Sequence, residues 1–228
     1  GVRTALIANH RFTSCRLAIS AKGGTNAENH NHNDVGSYAV ALGSETMVGD
    51  QGGPNSYPGD YFNGDAPQKY KIKGSFGHPV PVVDGRTQSS GGKAKGVVLQ
   101  KEFTNEKDVF SIDYTSAYST PNLDKLIRTF VYDRQGKGSF TVGDEFTAKT
   151  PIRFETAITT RADWKILDDT HLLLATDSEQ MIVAIEASGK VAFTSETIEV
   201  NSPAYTRIGI ALKNQSKEGY IRLKMYTK

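Results

Sequence analysis

The sequence has little cysteine, little net charge and no long apolar run. Its one cysteine, Cys15, cannot form a disulfide within the chain, so the fold depends on an apolar core. The 27 lysines and arginines nearly balance the 25 aspartates and glutamates, which leaves a net charge of +2 and no strong field to attract nucleic acid. The longest obvious apolar run, Leu172–Ala175, is far shorter than the roughly 20 residues that span a bilayer. We therefore expect a globular protein that binds no nucleic acid and has no membrane span.

Strand patterning fills the chain after Lys95, whereas helical periodicity is nearly absent. Short runs rich in β-branched and aromatic residues alternate with polar turns, which is typical of antiparallel sheets. The predicted strands are Val97–Phe103, Val109–Tyr114, Leu126–Tyr132, Ser139–Val142, Ile152–Ile158, Trp164–Leu167, His171–Ala175, Met181–Glu186, Val191–Thr194, Thr206–Leu212 and Tyr220–Met225. Their regular spacing predicts an all-β fold, an antiparallel β-sandwich that comprises residues 1–228 as a single domain.

Two local features are also predicted among these strands. Polar residues 214–219 separate the last two strands, which predicts that Thr206–Leu212 and Tyr220–Met225 pair as a hairpin. The one modest helix candidate is a single turn at Asn122–Lys125, directly after Pro121.

Residues 43–96 differ from the rest of the chain because glycine and proline are concentrated there. This segment holds 12 of the 22 glycines and five of the eight prolines. So many glycines and prolines are incompatible with regular sheet throughout the segment, and they predict a long-loop region. Long loops within compact domains commonly carry binding or catalytic residues. We therefore expect the chemistry of the protein to lie before residue 97 and the later strands to form its scaffold.

The most informative stretch is Glu28–Tyr38, which contains the run Asn-His-Asn-His-Asn-Asp. Residues two apart on an extended backbone project to the same side, so His30 and His32 can address one small volume. The segment then alternates into a strand, turns at Gly43 and returns as a second strand. This predicted hairpin brings Asp50 back beside His32.

A third histidine, His78, opens another β-rich run after a Gly-Pro-rich stretch. Two imidazoles and one carboxylate, from His32, His78 and Asp50, form a ligand set that zinc accepts, with a carbonyl or water as the fourth ligand. The alternative is a polar loop whose His, Asn and Asp side chains cap turns and solvate the backbone. Spacing alone leaves both interpretations open.

Three ordered motifs resemble a known family. The His-Asn-His-Asn-Asp stretch, Gly49-Asp50, and Gly77–Gly85 are together similar to the C-terminal β domain of the heparinase II/III-like polysaccharide lyases. The similarity extends from about Ala21 to Gln88. It implies a β-sandwich of the super-sandwich type. It also implies that the chain is part of a longer protein, whose N-terminal α/α toroid domain is absent here.

The resemblance implies an activity and a location. Members of this family cleave acidic polysaccharides that contain uronic acid, such as heparan-sulfate-like glycosaminoglycans or alginate, by β-elimination. The active site lies in the cleft between toroid and sandwich, so we expect this chain alone to have little or no lyase activity. A periplasmic or secreted location follows from the family.

The resemblance also implies roles for particular residues. His32, Asp50 and His78 match the family's metal ligands, usually for zinc, with the Gly49 carbonyl nearby, and His30 matches the active-site histidine that faces the uronate. A catalytic tyrosine lies between the equivalents of Asp50 and His78, where this sequence has Tyr57, Tyr61 and Tyr70; we favour Tyr61.

The chemistry of β-elimination explains the need for such residues. Removing the proton next to a carboxylate adds negative charge to a group that is already anionic, so donors must neutralise that carboxylate before a base can act. Histidine and asparagine supply such donors, and tyrosine or histidine can act as base and acid. The alternative function is a non-catalytic carbohydrate-binding or structural sandwich module that retains the motif.

Overall fold

The computed structural model describes residues 16–54, 56–200 and 202–228, with no side-chain account of residues 200–203. Cys15 and the first fourteen residues of the predicted domain lie outside the described residues. The strands that precede the long final sheet are β1 Leu17–Ala21, β2 Thr25–Asn26, β3 Tyr38–Leu42, β4 Glu45–Val48, β5 Val82–Val83 and β6 Gly91–Lys95. A short helix, α1, spans Ala66–Lys69, and 3₁₀ turns occupy Ser75–Gly77 and Thr115–Ala117.

The remaining strands are longer and follow one another closely. They are β7 Val97–Phe103, β8 Lys107–Asp113, β9 Leu123–Asp133, β10 Ser139–Ile152, β11 Phe154–Thr160, β12 Asp163–Asp168, β13 His171–Ala175, β14 Gln180–Ala187, β15 Val191–Val200, β16 Ser202–Leu212 and β17 Ser216–Thr227. Each contains one of the strands predicted from the sequence or overlaps it closely.

The strands form antiparallel sheets that pack as two layers. One layer is an eight-stranded sheet in the order β12-β13-β14-β17-β10-β9-β8-β7. Opposite it lie a four-stranded sheet, β15-β16-β11-β5, and a three-stranded sheet, β1-β3-β4, while β2 pairs with β6. The two smaller sheets meet where β4 ends beside β11, because the Gly49 N–H donates to the Thr159 carbonyl at 3.0 Å.

One apolar core lies between the layers and explains the strand alternation. Inward-facing residues from all three larger sheets are buried in it, among them Ile19, Val40, Phe110, Phe130 and Ile208. Burial of these side chains is the main favourable contribution to folding in a chain whose described residues hold no disulfide. The all-β antiparallel sandwich predicted from the sequence is confirmed.

Two local predictions were wrong. Thr206–Leu212 and Tyr220–Met225 do not pair as a hairpin, because β16 joins the four-stranded sheet and β17 joins the eight-stranded sheet. The polar stretch between them crosses from one layer to the other. The predicted helical turn at Asn122–Lys125 is also absent, because Leu123 and Leu126 place their side chains in the core from strand β9.

The long-loop region at residues 43–96 is confirmed. Regular structure there is limited to β4, the one-turn helix α1, a 3₁₀ turn and the short strands β5 and β6. The loops between them cover one end of the sandwich beside β3. No helix among the described residues has the length and apolar character needed to cross a membrane.

Candidate metal centre and active site

The hairpin β3–β4 delivers Asp50 to the site, and Gly49 makes this possible. A Cβ atom at Gly49 would lie 2.6 Å from the Ala39 Cβ, so only glycine allows the chain to approach β3 this closely. The Gly49 carbonyl accepts hydrogen bonds from the Thr159 hydroxyl at 2.6 Å and from the Gln51 amide at 3.1 Å. Both of its lone pairs are thus used inside the protein, and this carbonyl is not free to bind a metal.

A buried amide network holds the loop that carries His32. Gln88 accepts a hydrogen bond from the Val35 N–H and donates one to the Val35 carbonyl, at 3.0 and 2.7 Å. Asn26 donates to the Gln88 side chain at 3.0 Å and accepts from the Asp34 N–H at 3.1 Å. Because these groups are buried and satisfy one another, the loop has one well-defined conformation.

His78 is fully buried and meets His32 directly. The His32 Nδ1 and His78 Nε2 atoms are 3.1 Å apart, and His78 Nε2 also lies 3.0 Å from the Ile72 carbonyl. The other ring nitrogen of His78, Nδ1, is buried without a hydrogen-bond partner among the described residues. Asp50 completes the group: one ligand atom from each of the three residues lies within 4.8 Å of the others.

These three residues fit a divalent cation such as zinc. Two nitrogens bound tetrahedrally at 2.0–2.1 Å from zinc lie about 3.3 Å apart, close to the separation seen here. Because a carbonyl oxygen can only accept, the contact with Ile72 makes His78 Nε2 an N–H donor, which the His32 Nδ1 atom also accepts. Binding of a cation through His78 Nε2 would therefore release this proton. Two histidines and one carboxylate leave a fourth position open.

The electrostatics of the site favour the forms that bind metal. Burial, followed by the neighbouring His78, lowers the pKa of His32 from 6.5 to about 4, so its ring is neutral at physiological pH. Burial alone would raise the pKa of Asp50, but His78 and the Gly52 N–H, which donates to its carboxylate at 2.9 Å, together lower it. A neutral His32 ring and an ionised Asp50 carboxylate are the protonation states that metal binding requires of these two residues.

Beneath the site, a buried arginine ties two of its segments to the sandwich. Arg128 on β9 donates from Nη1 to the Gly36 carbonyl and to the Pro79 carbonyl, both at 2.8 Å. Gly36 follows the histidine run and Pro79 follows His78, so one guanidinium fixes the two chain segments that carry imidazoles. In the sequence, Arg128 is one residue of a predicted strand, and nothing in its surroundings indicates this role.

His30 lies at the rim of the site and is exposed to solvent. Its backbone has a positive φ of 56°, a conformation that residues other than glycine rarely adopt, so the surrounding loop contacts must hold it there. The ring packs edge-on against Phe62 at 5.1 Å between centroids. His30 borders two depressions: a cleft of about 450 Å³ that also contains His32 and Asp50, and a cavity of about 300 Å³ beside Phe62.

The three candidate tyrosines differ in exposure. Tyr61, the favoured one, is 2% exposed, and its hydroxyl has no hydrogen-bond partner among the described residues. Burial raises the pKa of Tyr61 to about 12. Tyr57 is 57% exposed and packs on Phe62, whereas the Tyr70 hydroxyl donates to Asp60 at 2.5 Å. In this conformation Tyr61 lies behind the surface, and its catalytic role stays a prediction.

Known proteins resemble this chain in structure and not detectably in sequence. No protein-family profile matches it, and no curated protein sequence matches it. A crystal structure of heparinase III superposes with a TM-score of 0.74 and 17% identity, over 98% of this chain and 35% of that chain. Heparan sulfate lyase HepC from Pedobacter heparinus superposes with a TM-score of 0.73 and 13% identity, over 93% of this chain and 33% of that chain.

These matches cover nearly all of this chain but only about a third of each matched protein. A second heparinase III structure, of the BT4657 gene product, has a TM-score of 0.74 and 12% identity, over 93% of this chain and 33% of that chain. The chain therefore spans about a third of the length of the lyases that it resembles. The likeness predicted from three short motifs is confirmed at the level of architecture: this chain has the fold of one part of the heparinase III lyases.

Proposed function

We propose that this chain is the β-sandwich domain of a polysaccharide lyase that cleaves uronate-containing acidic polysaccharides by β-elimination. The observation that carries the proposal is the convergence of His32, Asp50 and His78, two of which border the same cleft as His30. The architecture shared with heparinase III structures supports it. The substrate is a heparan-sulfate-like glycosaminoglycan or alginate.

In this proposal His30 acts on the uronate and the three residues below it hold a divalent cation, zinc by preference. The cation, when bound, supplies positive charge and fixes the loop geometry. His30 donates a hydrogen bond to the substrate carboxylate and so stabilises the charge that develops as the neighbouring proton leaves. Tyr61 is the candidate for proton transfer on this side of the cleft, and Tyr57, which is exposed beside it, is the alternative.

A complete lyase needs a second domain opposite His30. The clefts beside His30 are open on their outer side, and the chain spans about a third of the lyases that it resembles. We propose that an N-terminal α/α toroid domain closes the cleft and supplies further catalytic groups. A periplasmic or secreted location is part of the same proposal, because polymeric glycosaminoglycans and alginate lie outside the cytoplasm.

A second candidate function is a non-catalytic carbohydrate-binding module. It is favoured by the exposed aromatic rings of Tyr57 and Phe62, which are 57% and 52% exposed at the rim. Sugar rings stack on such surfaces through their apolar faces. This function needs neither His30 nor a metal, so the two candidates predict different consequences of changing His30.

Turnover of the full-length protein that carries this chain tests the proposal. Cleavage of a heparan-sulfate or alginate polymer leaves unsaturated uronate ends, which are measured by ultraviolet absorbance. His30→Ala should lower kcat about 100-fold or more while metal content and the unfolding transition stay unchanged. His171→Ala is the matched control, because this histidine lies on β13 and pairs with Asp168 away from the site. Unchanged turnover in His30→Ala would exclude His30 from the mechanism.

A further inference from the structure

Lys73 is a buried cation for which the described part of the chain offers no ion-pair partner. It is 5% exposed, and its ammonium donates to the Tyr61 carbonyl at 2.5 Å. The same group lies over the rings of Tyr61 and Phe62, 4.9 and 5.1 Å from their centroids. Among the described residues no carboxylate forms an ion pair with it, and burial lowers its pKa.

Such an arrangement is unusual for lysine. A buried charge ordinarily pairs with an opposite charge, because removal from water costs several kcal/mol per ion. Even lysines that are far more exposed have an anionic partner here: Lys22 pairs with Asp34, and Lys69 pairs with Asp60. Lys73 has only a carbonyl and two aromatic faces, which compensate its charge in part.

The position of Lys73 indicates where the missing anion would bind. Lys73 lines the cavity of about 300 Å³, and His30 borders both this cavity and the larger cleft that contains His32 and Asp50. Phe62 and His30 form the wall of this cavity, and Asn33 and Asn63 also border it. Glu28 also lines this cavity. The cavity thus combines an aromatic ring, amide groups and the ammonium group of Lys73, which suit an anionic sugar.

We propose that this cavity, the Lys73 cavity, is a subsite for the carboxylate or sulfate group of the sugar next to the one bound at His30. The proposal rests on the proposed function, because it takes the polymer to cross His30 from the larger cleft into the Lys73 cavity. Lys73 supplies the charge for the anionic group, and Phe62 supplies a surface for the ring of the same sugar. Neither residue was identified from the sequence.

Calorimetric binding of a heparan-sulfate-derived tetrasaccharide to the chain tests this subsite. Lys73→Met keeps the length of the side chain and removes its charge; it should weaken binding about tenfold or more. Lys149→Met is the matched control, because Lys149 is an exposed lysine on β10. The affinity of this variant for the tetrasaccharide should equal that of the wild type. Desulfated and carboxyl-reduced tetrasaccharides show which group Lys73 binds. If removing one group makes the affinities of the wild type and Lys73→Met equal, that group is the partner of Lys73.

A second variant covers the case in which Lys73→Met does not fold. Asn63 is exposed at the mouth of the Lys73 cavity, so Asn63→Asp adds a negative charge there without disturbing the core. It should weaken binding of the anionic tetrasaccharide several-fold and leave binding of the neutral, desulfated and carboxyl-reduced form unchanged. Equal affinity of wild type, Lys73→Met and Asn63→Asp for the anionic form would overturn the proposal.

Inorganic sulfate separates this inference from the proposed function. Sulfate titration monitored by amide NMR should shift the signals of residues around Lys73 in the wild type and not in Asn63→Asp. If the full-length protein shows no turnover but sulfate shifts these signals, the lyase proposal fails and the anion site stands. If the tetrasaccharide binds but neither variant weakens it and sulfate shifts no signal, the lyase proposal stands and the subsite is excluded.

Discussion

Arg128 and Asp144 lie directly opposite one another on β9 and β10 and form a buried, two-pronged ion pair. The Nε and Nη2 atoms of Arg128 donate to the two carboxylate oxygens of Asp144, each at 2.7 Å. Tyr114 and Thr156 donate to the same carboxylate at 2.7 and 2.8 Å. The remaining donor of Arg128 reaches the carbonyls of Gly36 and Pro79, so the segments that carry His32 and His78 are attached to the sandwich through this pair.

Removing the guanidinium should damage both the fold and the site. Arg128→Met leaves the Asp144 carboxylate buried without its cation, and the two loop carbonyls lose their donor. We expect the free energy of unfolding to fall by about 3–5 kcal/mol, measured by urea unfolding. The fraction that remains folded should bind zinc more weakly than the wild type, because the two histidine segments are no longer held together.

A surface arginine provides the control for this experiment. Arg222 is half-exposed and pairs with Glu145 and Glu186 at 2.7 and 2.9 Å. Arg222→Met should cost at most about 1 kcal/mol, since exposed ion pairs contribute little. An Arg128→Met variant as stable as Arg222→Met, with undiminished zinc affinity, would contradict the role assigned to the buried pair.

The metal-free chain should lose stability as the pH falls from 6.5 to about 4. His32 has its ordinary pKa of 6.5 in the unfolded chain, while burial and His78 lower its pKa to about 4 in the fold. Between these values the unfolded chain binds a proton that the folded chain does not, so acidification favours unfolding; above 6.5 the contribution of His32 is complete. Urea unfolding at pH 7.0, 5.5 and 4.5, in the presence of a metal chelator, measures how steeply the free energy of unfolding falls as the pH is lowered. This dependence on pH should be weaker in His32→Gln, and an equal dependence would show that another group is responsible.

Tyr61→Phe should not destabilise the protein. The Tyr61 hydroxyl is buried without a partner among the described residues, so its removal should leave the free energy of unfolding unchanged or raise it by about 1 kcal/mol. Tyr114→Phe is the matched comparison: its hydroxyl donates to Asp144, and we expect a loss of about 1–3 kcal/mol. Equal losses in the two variants would mean that the Tyr61 hydroxyl has a structural partner. A fall in turnover of the full-length protein without a change in stability would support the catalytic role predicted for Tyr61.

The sequence was sufficient for the fold class and most strands, because inward-facing side chains of a sandwich impose a period of two. It was insufficient for sheet membership. The stretch between Leu212 and Ser216 looks like a hairpin turn, yet it joins strands of opposite layers, since local alternation carries no information about which sheet a strand enters. The short helix at Ala66–Lys69 was also not predicted, because four residues are too few to show a helical period.

The sequence was sufficient to identify the candidate ligands of the site, but not the buried residues that hold or surround them. His32, Asp50 and His78 could be grouped because histidine and carboxylate are metal ligands in any context. Lys73 and Arg128 are ordinary residues in a polar loop and a strand. Only tertiary structure shows that both are buried, that Arg128 lies opposite Asp144, and that Lys73 forms no ion pair with a described carboxylate.

The account depends most on the cation that we propose for His32, Asp50 and His78, and calorimetric titration of zinc into the chelator-treated chain tests this directly. We expect one zinc ion per chain in the wild type and in His171→Ala, and binding more than about 100-fold weaker in His78→Ala. Wild-type protein that binds no zinc, or His78→Ala that binds it as tightly as the wild type, would contradict the account.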